Sequence, residues 1–122
     1  MEKYIEVMKK SQELAETVLE GLQHIQKLIG EGKHEQSILL FEDVLLAYST
    51  IGRSIDSVIR ELGNDTVSAQ QADVSKAAEL VVSAFEEKNY AKVQEVLQFT
   101  LIPQFKKLTA EFEKAFQPYL VS

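Results

Sequence analysis

The residues of widest chemical reach in this chain are two histidines, His24 and His34, and the carboxylates near them. Glu31 and His34 have the Glu-x-x-His spacing with which carboxylate-bridged di-iron bundles set two ligands on one helix face. Such a centre needs a second unit, and His24 has Gly21 three positions before it, so the ligand set is incomplete. The chain has no cysteine, which removes thiolate nucleophiles, disulfides and Cys-ligated metal or cluster sites. Glu42-Asp43 and Glu86-Glu87 are adjacent carboxylates, and neighbours on a helix point about 100° apart, which suits joint acid-base work poorly. Gly30-Glu31-Gly32 lacks the third glycine and the preceding strand of a dinucleotide fingerprint. Asn64-Asp65-Thr66 matches a glycosylation sequon and is read as turn and cap, because no secretory signal precedes it. No catalytic, metal or cofactor residue is therefore expected, and the chain is not expected to be an enzyme.

The elements that carry these residues follow from patterning. At 122 residues the chain is long enough for one core and short for two, so residues 1-122 are read as a single domain. A net charge of −6 disfavours a nucleic-acid partner, and the basic doublets Lys9-Lys10 and Lys106-Lys107 are read as solvated helix faces. The longest apolar runs, Ile38 to Phe41 and Val44 to Tyr48, fall far short of the roughly 20 residues that span a bilayer. A cytoplasmic location without membrane contact is the expectation.

Turn residues gather around Gly30–Lys33, Gly63–Thr66 and Glu86–Tyr90, which divides the chain into four helical segments at about 3-29, 34-62, 68-88 and 89-119. The first carries Ile5, Met8, Ala15, Leu19, Leu22 and Ile29, widened by Leu14, Val18 and Ile25. The second has the cleanest period, through Ile38, Phe41, Leu45, Tyr48, Gly52, Ile55, Ile59 and Leu62. Gly63 suits its left-handed end, and Asp65, Thr66 or Ser68 suits the next cap, with Ser68 to Gln71 fitting a capping box. The third segment is rich in small residues, so the bulky fourth, with Val93, Leu97, Leu101, Phe105, Leu108, Phe112 and Tyr119, is expected to fill the core beside it. Pro103 predicts a kink or break near Phe99 to Ile102, and Pro118 a helix end. The fold class is all-α, an antiparallel up-down-up-down four-helix bundle built of two helical hairpins. A faint repeat supports two hairpins: shifted by 57 positions, Ile25 falls on Val82, Leu28 on Phe85, Tyr48 on Phe105 and Ile51 on Leu108.

Two features point to partners. Phe116, Tyr119 and Leu120 close an end that holds half of the aromatic residues, and are candidate contacts for a protein partner or a second copy. Gly52, on a core stripe, suggests a close helix approach or a notch, with Tyr48 and Phe105 as neighbouring walls.

The stretch LIGEGKHEQSILLFEDVL, residues 28 to 45, resembles the inter-helix turn of a tetratricopeptide repeat, although the helices are about twice as long and no 34-residue period recurs. As a whole the chain resembles small all-helical proteins of unknown function from Gram-positive bacteria. It is less similar to flagellar export chaperones, which share a Gly-acidic turn after the first helix. These resemblances imply a helical fold and supply no functional residue. The expected function is a protein-protein interaction module: an adaptor, a small chaperone or a self-associating structural protein. The alternative is a small-molecule binding bundle with a pocket between helices.

Overall fold

In the computed structural model, which describes residues 2–120, a short 3-10 turn at Glu2–Tyr4 leads into α1 (Ile5–Gly30), α2 (His34–Leu62) and α3 (Asp65–Glu86). A fourth long helix follows as α4 (Tyr90–Val96), a π-helical turn (Leu97–Leu101) and α5 (Ile102–Leu120). The described residues contain no strand.

Each of the first three helices ends the same way. A residue in the left-handed region (Gly32, Gly63 or Lys88) is followed by one whose N–H reaches back to a carbonyl of the last turn: Lys33 to Leu28, Asn64 to Ile59 and Asn89 to Ala84. Lys88 adopts this conformation at φ 56° without the freedom of glycine. The same turn positions two caps. Asn64 and Asn89 accept hydrogen bonds through their side chains from Val67 N–H (3.0 Å) and Lys92 N–H (3.1 Å). The cap of α3 is thus Asn64, not Asp65, Thr66 or Ser68, and the helix starts three residues before the expected Ser68. The turn at Gly63 leaves Asn64 extended, with its side chain facing the open N–H groups.

Pro103 does not break the fourth helix. Ile102 N–H bonds the Leu97 carbonyl, five residues back, in a turn one residue wider than an α-turn. The widening accommodates a proline that has no N–H and whose ring would crowd the carbonyl four residues earlier, that of Phe99. Pro118 does not end the helix either, since α5 continues to Leu120. Its missing bond would go to Lys114, an exposed residue near the helix end where water can serve that carbonyl.

Side-chain burial selects between neighbouring stripes. On α2, Ser37, Phe41, Val44, Ile51, Ile55 and Val58 are buried, whereas Ile38, Leu45 and Gly52 are only half-buried. The core face is therefore turned toward the Val44–Ile51–Val58 side from the predicted stripe. On α1 the buried line is Met8, Ser11, Ala15, Val18, Leu22, Ile25 and Ile29. The shift follows from packing: α1 lies along both α2 and α5, α3 lies along α4 and α5, and α2 meets α3 more lightly. Ala77, Ala78 and Ala84 of α3 share the core with Phe105, Phe112 and Phe116 of α5.

The two halves of the chain keep a common register. Gly32 and Lys88, the left-handed residues, stand 56 positions apart, as do the first residues of α2 and α4, His34 and Tyr90. Buried Val18, Ile25, Ile29 and Phe41 correspond at that spacing to buried Val74, Val81, Phe85 and Leu97. From Leu101, the last residue of the π-turn, the spacing becomes 57, and Val44, Ile51, Ile55 and Ile59 correspond to Leu101, Leu108, Phe112 and Phe116. A uniform shift of 57 therefore misplaces Ile25 and Leu28 by one residue, while its Tyr48–Phe105 and Ile51–Leu108 matches stand. The extra residue of the π-turn accounts for the difference.

Candidate functional site

Tyr48 and Phe105 meet inside the bundle, with ring centroids 6.2 Å apart in an edge-to-face arrangement. The Tyr48 hydroxyl lies 2.9 Å from the Gln71 carbonyl, to which it donates, and 3.2 Å from Ser75 Oγ. Burial raises the Tyr48 pKa above the usual phenol value, and the contact with Ser75 opposes the shift. The space left between Val44, Tyr48, Leu101 and Phe105 amounts to about 10 Å³, with a wholly apolar lining. That is too small for a ligand and at the lower limit for one water.

Gly52 does not join this group. A Cβ built there would find only the Gln71 Nε2 atom, at 4.0 Å. The close approach expected of Gly52 belongs to Gly21, where a Cβ would lie 2.7 Å from Val44 Cγ2. Gly21 lies beside the predicted apolar stripes of α1, so only the packing of α2 reveals its role.

A cleft of about 530 Å³ opens over this contact, between α1 and α2. Val18 and Val44 form its buried floor, Leu40 and Ala47 are half-buried, and exposed Thr17, Glu20, His24 and Asp43 stand at the rim. Leu39 and Leu46 flank Asp43 on α2 and are 62% and 67% exposed. Glu6 and Glu13 precede Glu20 at seven-residue spacing, which returns nearly to one face of α1. The arrangement offers an apolar floor under an acidic rim. Among the described residues no hydrogen bond links Glu20, His24 and Asp43, and no group of three His, Asp or Glu side chains is placed to hold a metal ion.

The C-terminal aromatics divide. Phe116 is wholly buried and stacks on Phe112 at 5.5 Å, so its ring is part of the core and not of the surface expected for it. Core packing wins because α5 continues past Phe116 and keeps its ring in line with Leu108 and Phe112. Leu120 is half-buried against the core and Tyr119 is 37% exposed. Val121 lies outside the described residues. The most exposed aromatic is instead Phe99 on the π-turn, at 69%.

His34 and Tyr90, which open α2 and α4, stack with ring centroids 3.8 Å apart and planes within 1° of parallel. His34 Nδ1 is buried there without a hydrogen-bond partner. Nearby, Gln94 Nε2 donates to the Gln26 carbonyl at 2.8 Å and ties α4 to the end of α1. These contacts hold the two turns of the bundle end together.

A family model described as a domain of unknown function, DUF8042, matches residues 6–111. The chain belongs to the DUF8042 family. No curated protein and no solved structure matches it. The DUF8042 match takes in the whole α1–α2 cleft, the π-turn and Phe99, whereas Phe116, Tyr119 and Leu120 lie beyond it. No helix among the described residues of this DUF8042 chain is long and apolar enough to cross a membrane.

Proposed function

We propose that the chain is a cytoplasmic protein-binding module whose α1–α2 cleft receives an amphipathic helix of a partner, aliphatic on the buried side and lysine- or arginine-rich at its flanks. The observation that carries this reading is the cleft itself: an open apolar floor at Gly21 and Val44, bordered by Glu20 and Asp43 and extended by Leu39 and Leu46. Gly21 lets Val44 pack down onto α1, so Val18 and Val44 form a low aliphatic floor on which the side chains of a docking helix can rest. The carboxylates at the rim favour basic flanks, and the net charge of −6 adds attraction at longer range. The scaffold in this reading is an antiparallel up-down-up-down bundle of two related hairpins. The short turns, the stack of His34 on Tyr90 and the common register of the two halves support it.

The test uses two labelled peptides of about 18 residues with one amphipathic pattern, one of Leu and Lys and one of Leu and Glu, followed by fluorescence anisotropy. The Lys peptide should bind and the Glu peptide should not. Ala47→Trp and Thr17→Trp, which fill the cleft without changing charge, should each weaken binding by more than about tenfold while helicity is retained. Equal binding of both peptides, or undiminished binding by both Trp variants, would overturn the proposal.

A further inference from the structure

The chain leaves two large apolar side chains uncovered on elements that pack together, Leu80 on α3, 47% exposed, and Phe99 on the π-turn. The charges at seven-residue spacing from these two residues are opposite in sign, with exposed Lys76 and Glu95 one turn before Leu80 and Phe99. Seven residues to either side of Leu80 stand two acids, Asp73 and Glu87. Seven residues to either side of Phe99 stand two cations, Lys92 and Lys106. A step of seven returns nearly to the same helix face, so α3 with its C-cap Glu87 presents acid, leucine, acid and the fourth helix presents lysine, phenylalanine, lysine. The π-turn adds a residue between Phe99 and Lys106, and Lys107 then stands in the same place with the same charge. All of these side chains are exposed, and none is in an ion pair: the pairs among the described residues are Lys33 with Glu31 and Arg60 with Asp56.

We infer that Leu80 and Phe99 lie on one face of the bundle and that this face pairs with the same face of a second copy of the chain, about a twofold axis parallel to the helices. With α3 and the fourth helix antiparallel, as in the scaffold proposed above, such an axis lays α3 of one copy on the fourth helix of the other. Leu80 then meets Phe99, Asp73 meets Lys106 or Lys107, and Glu87 meets Lys92, each contact occurring twice. An axis perpendicular to the helices would instead lay one fourth helix on the other and set Lys92 against Lys106, a repulsive arrangement. The twofold operation uses each face once and closes, so the product is a dimer and not a filament. The α1–α2 cleft takes no part, so this inference rests on the antiparallel scaffold and not on the partner helix.

Sedimentation equilibrium of the whole chain across a roughly hundredfold concentration range reads the outcome. The expected result is a reversible dimer that weakens as salt rises. Phe99→Glu, and separately Leu80→Lys, should raise its dissociation constant more than about tenfold with helicity unchanged. Glu87→Lys should weaken the dimer and Glu87→Lys with Lys92→Glu should restore it, a rescue that a general loss of stability would not give. A monomer at every concentration, a species larger than a dimer, a dimer indifferent to Phe99→Glu, or a paired reversal no tighter than Glu87→Lys alone would each overturn the inference. Binding of the Lys peptide should be unchanged in Phe99→Glu, so failure at either surface is read independently.

Discussion

A methyl group on Gly21 would stand 2.7 Å from Cγ2 of Val44, closer than packed carbons approach. Val44 is β-branched and buried, so it has little freedom to move aside. Gly21→Ala should therefore lower stability by about 1–2 kcal/mol even though alanine is the better helix former by up to about 1 kcal/mol. In a Val44→Ala background the same substitution should cost less or turn stabilising, which a double-mutant cycle of melting temperatures will measure. Gly52 provides the contrast. A Cβ there meets nothing nearer than 4.0 Å, so Gly52→Ala should stabilise by about 0.5–1 kcal/mol. A lower melting temperature for Gly52→Ala would contradict the assignment.

The π-turn makes the fourth helix one residue longer than its counterpart α2 requires. Deleting Phe99 together with Pro103→Ala should convert the turn to ordinary α-helix and keep Phe105, Phe112 and Phe116 in the core. The expected cost is at most about 1–2 kcal/mol by chemical denaturation. Deleting Glu111 should abolish the cooperative transition, because Phe112 and Phe116 would rotate by about 100° away from the core. Equal stability of the two deletions would be incompatible with the register described.

Tyr48 links stability to pH. Its hydroxyl is favoured in the protonated form by burial, so the folded pKa stands above the unfolded value of 10.0. The unfolded chain then ionises first. The contribution of this group is fully present below about pH 10 and is lost as the pH rises through the folded pKa. Tyr48→Phe should cost about 0.5–1.5 kcal/mol at neutral pH through loss of the bond to Gln71. It should also flatten the fall in stability above pH 10, seen by comparing urea midpoints of the two proteins at pH 8 and pH 11.

Phe116 and Tyr119 should separate cleanly under substitution. Phe116→Ala removes a wholly buried ring stacked on Phe112 and should cost about 3–5 kcal/mol. Tyr119→Ala should change stability by no more than about 0.5 kcal/mol. A mild effect at Phe116 would mean that its ring is not held in the core.

The sequence by itself determined the helices, their number and most of their ends. Amphipathic period and turn chemistry are local properties, and Gly32 and Gly63 carry the left-handed conformation that their turns require. The sequence also made the small-residue α3 and the bulky α5 recognisable as complementary partners. Tertiary packing decided which of two adjacent stripes on α2 is buried, because Ile38–Leu45–Gly52 and Ser37–Val44–Ile51 are separated by a rotation that only the placement of α1 resolves. It also decided which glycine matters. Gly21 and Gly52 are equally glycine, and only the position of Val44 distinguishes them. Pro103 was legible as a disturbance, but whether a helix answers it with a kink or a π-turn depends on the downstream rings. Phe105, Phe112 and Phe116 bury their apolar area only if the helix resumes in register. The cleft was not legible for the same reason. It joins side chains of α1 and α2, and their nearness is a property of the packed chain.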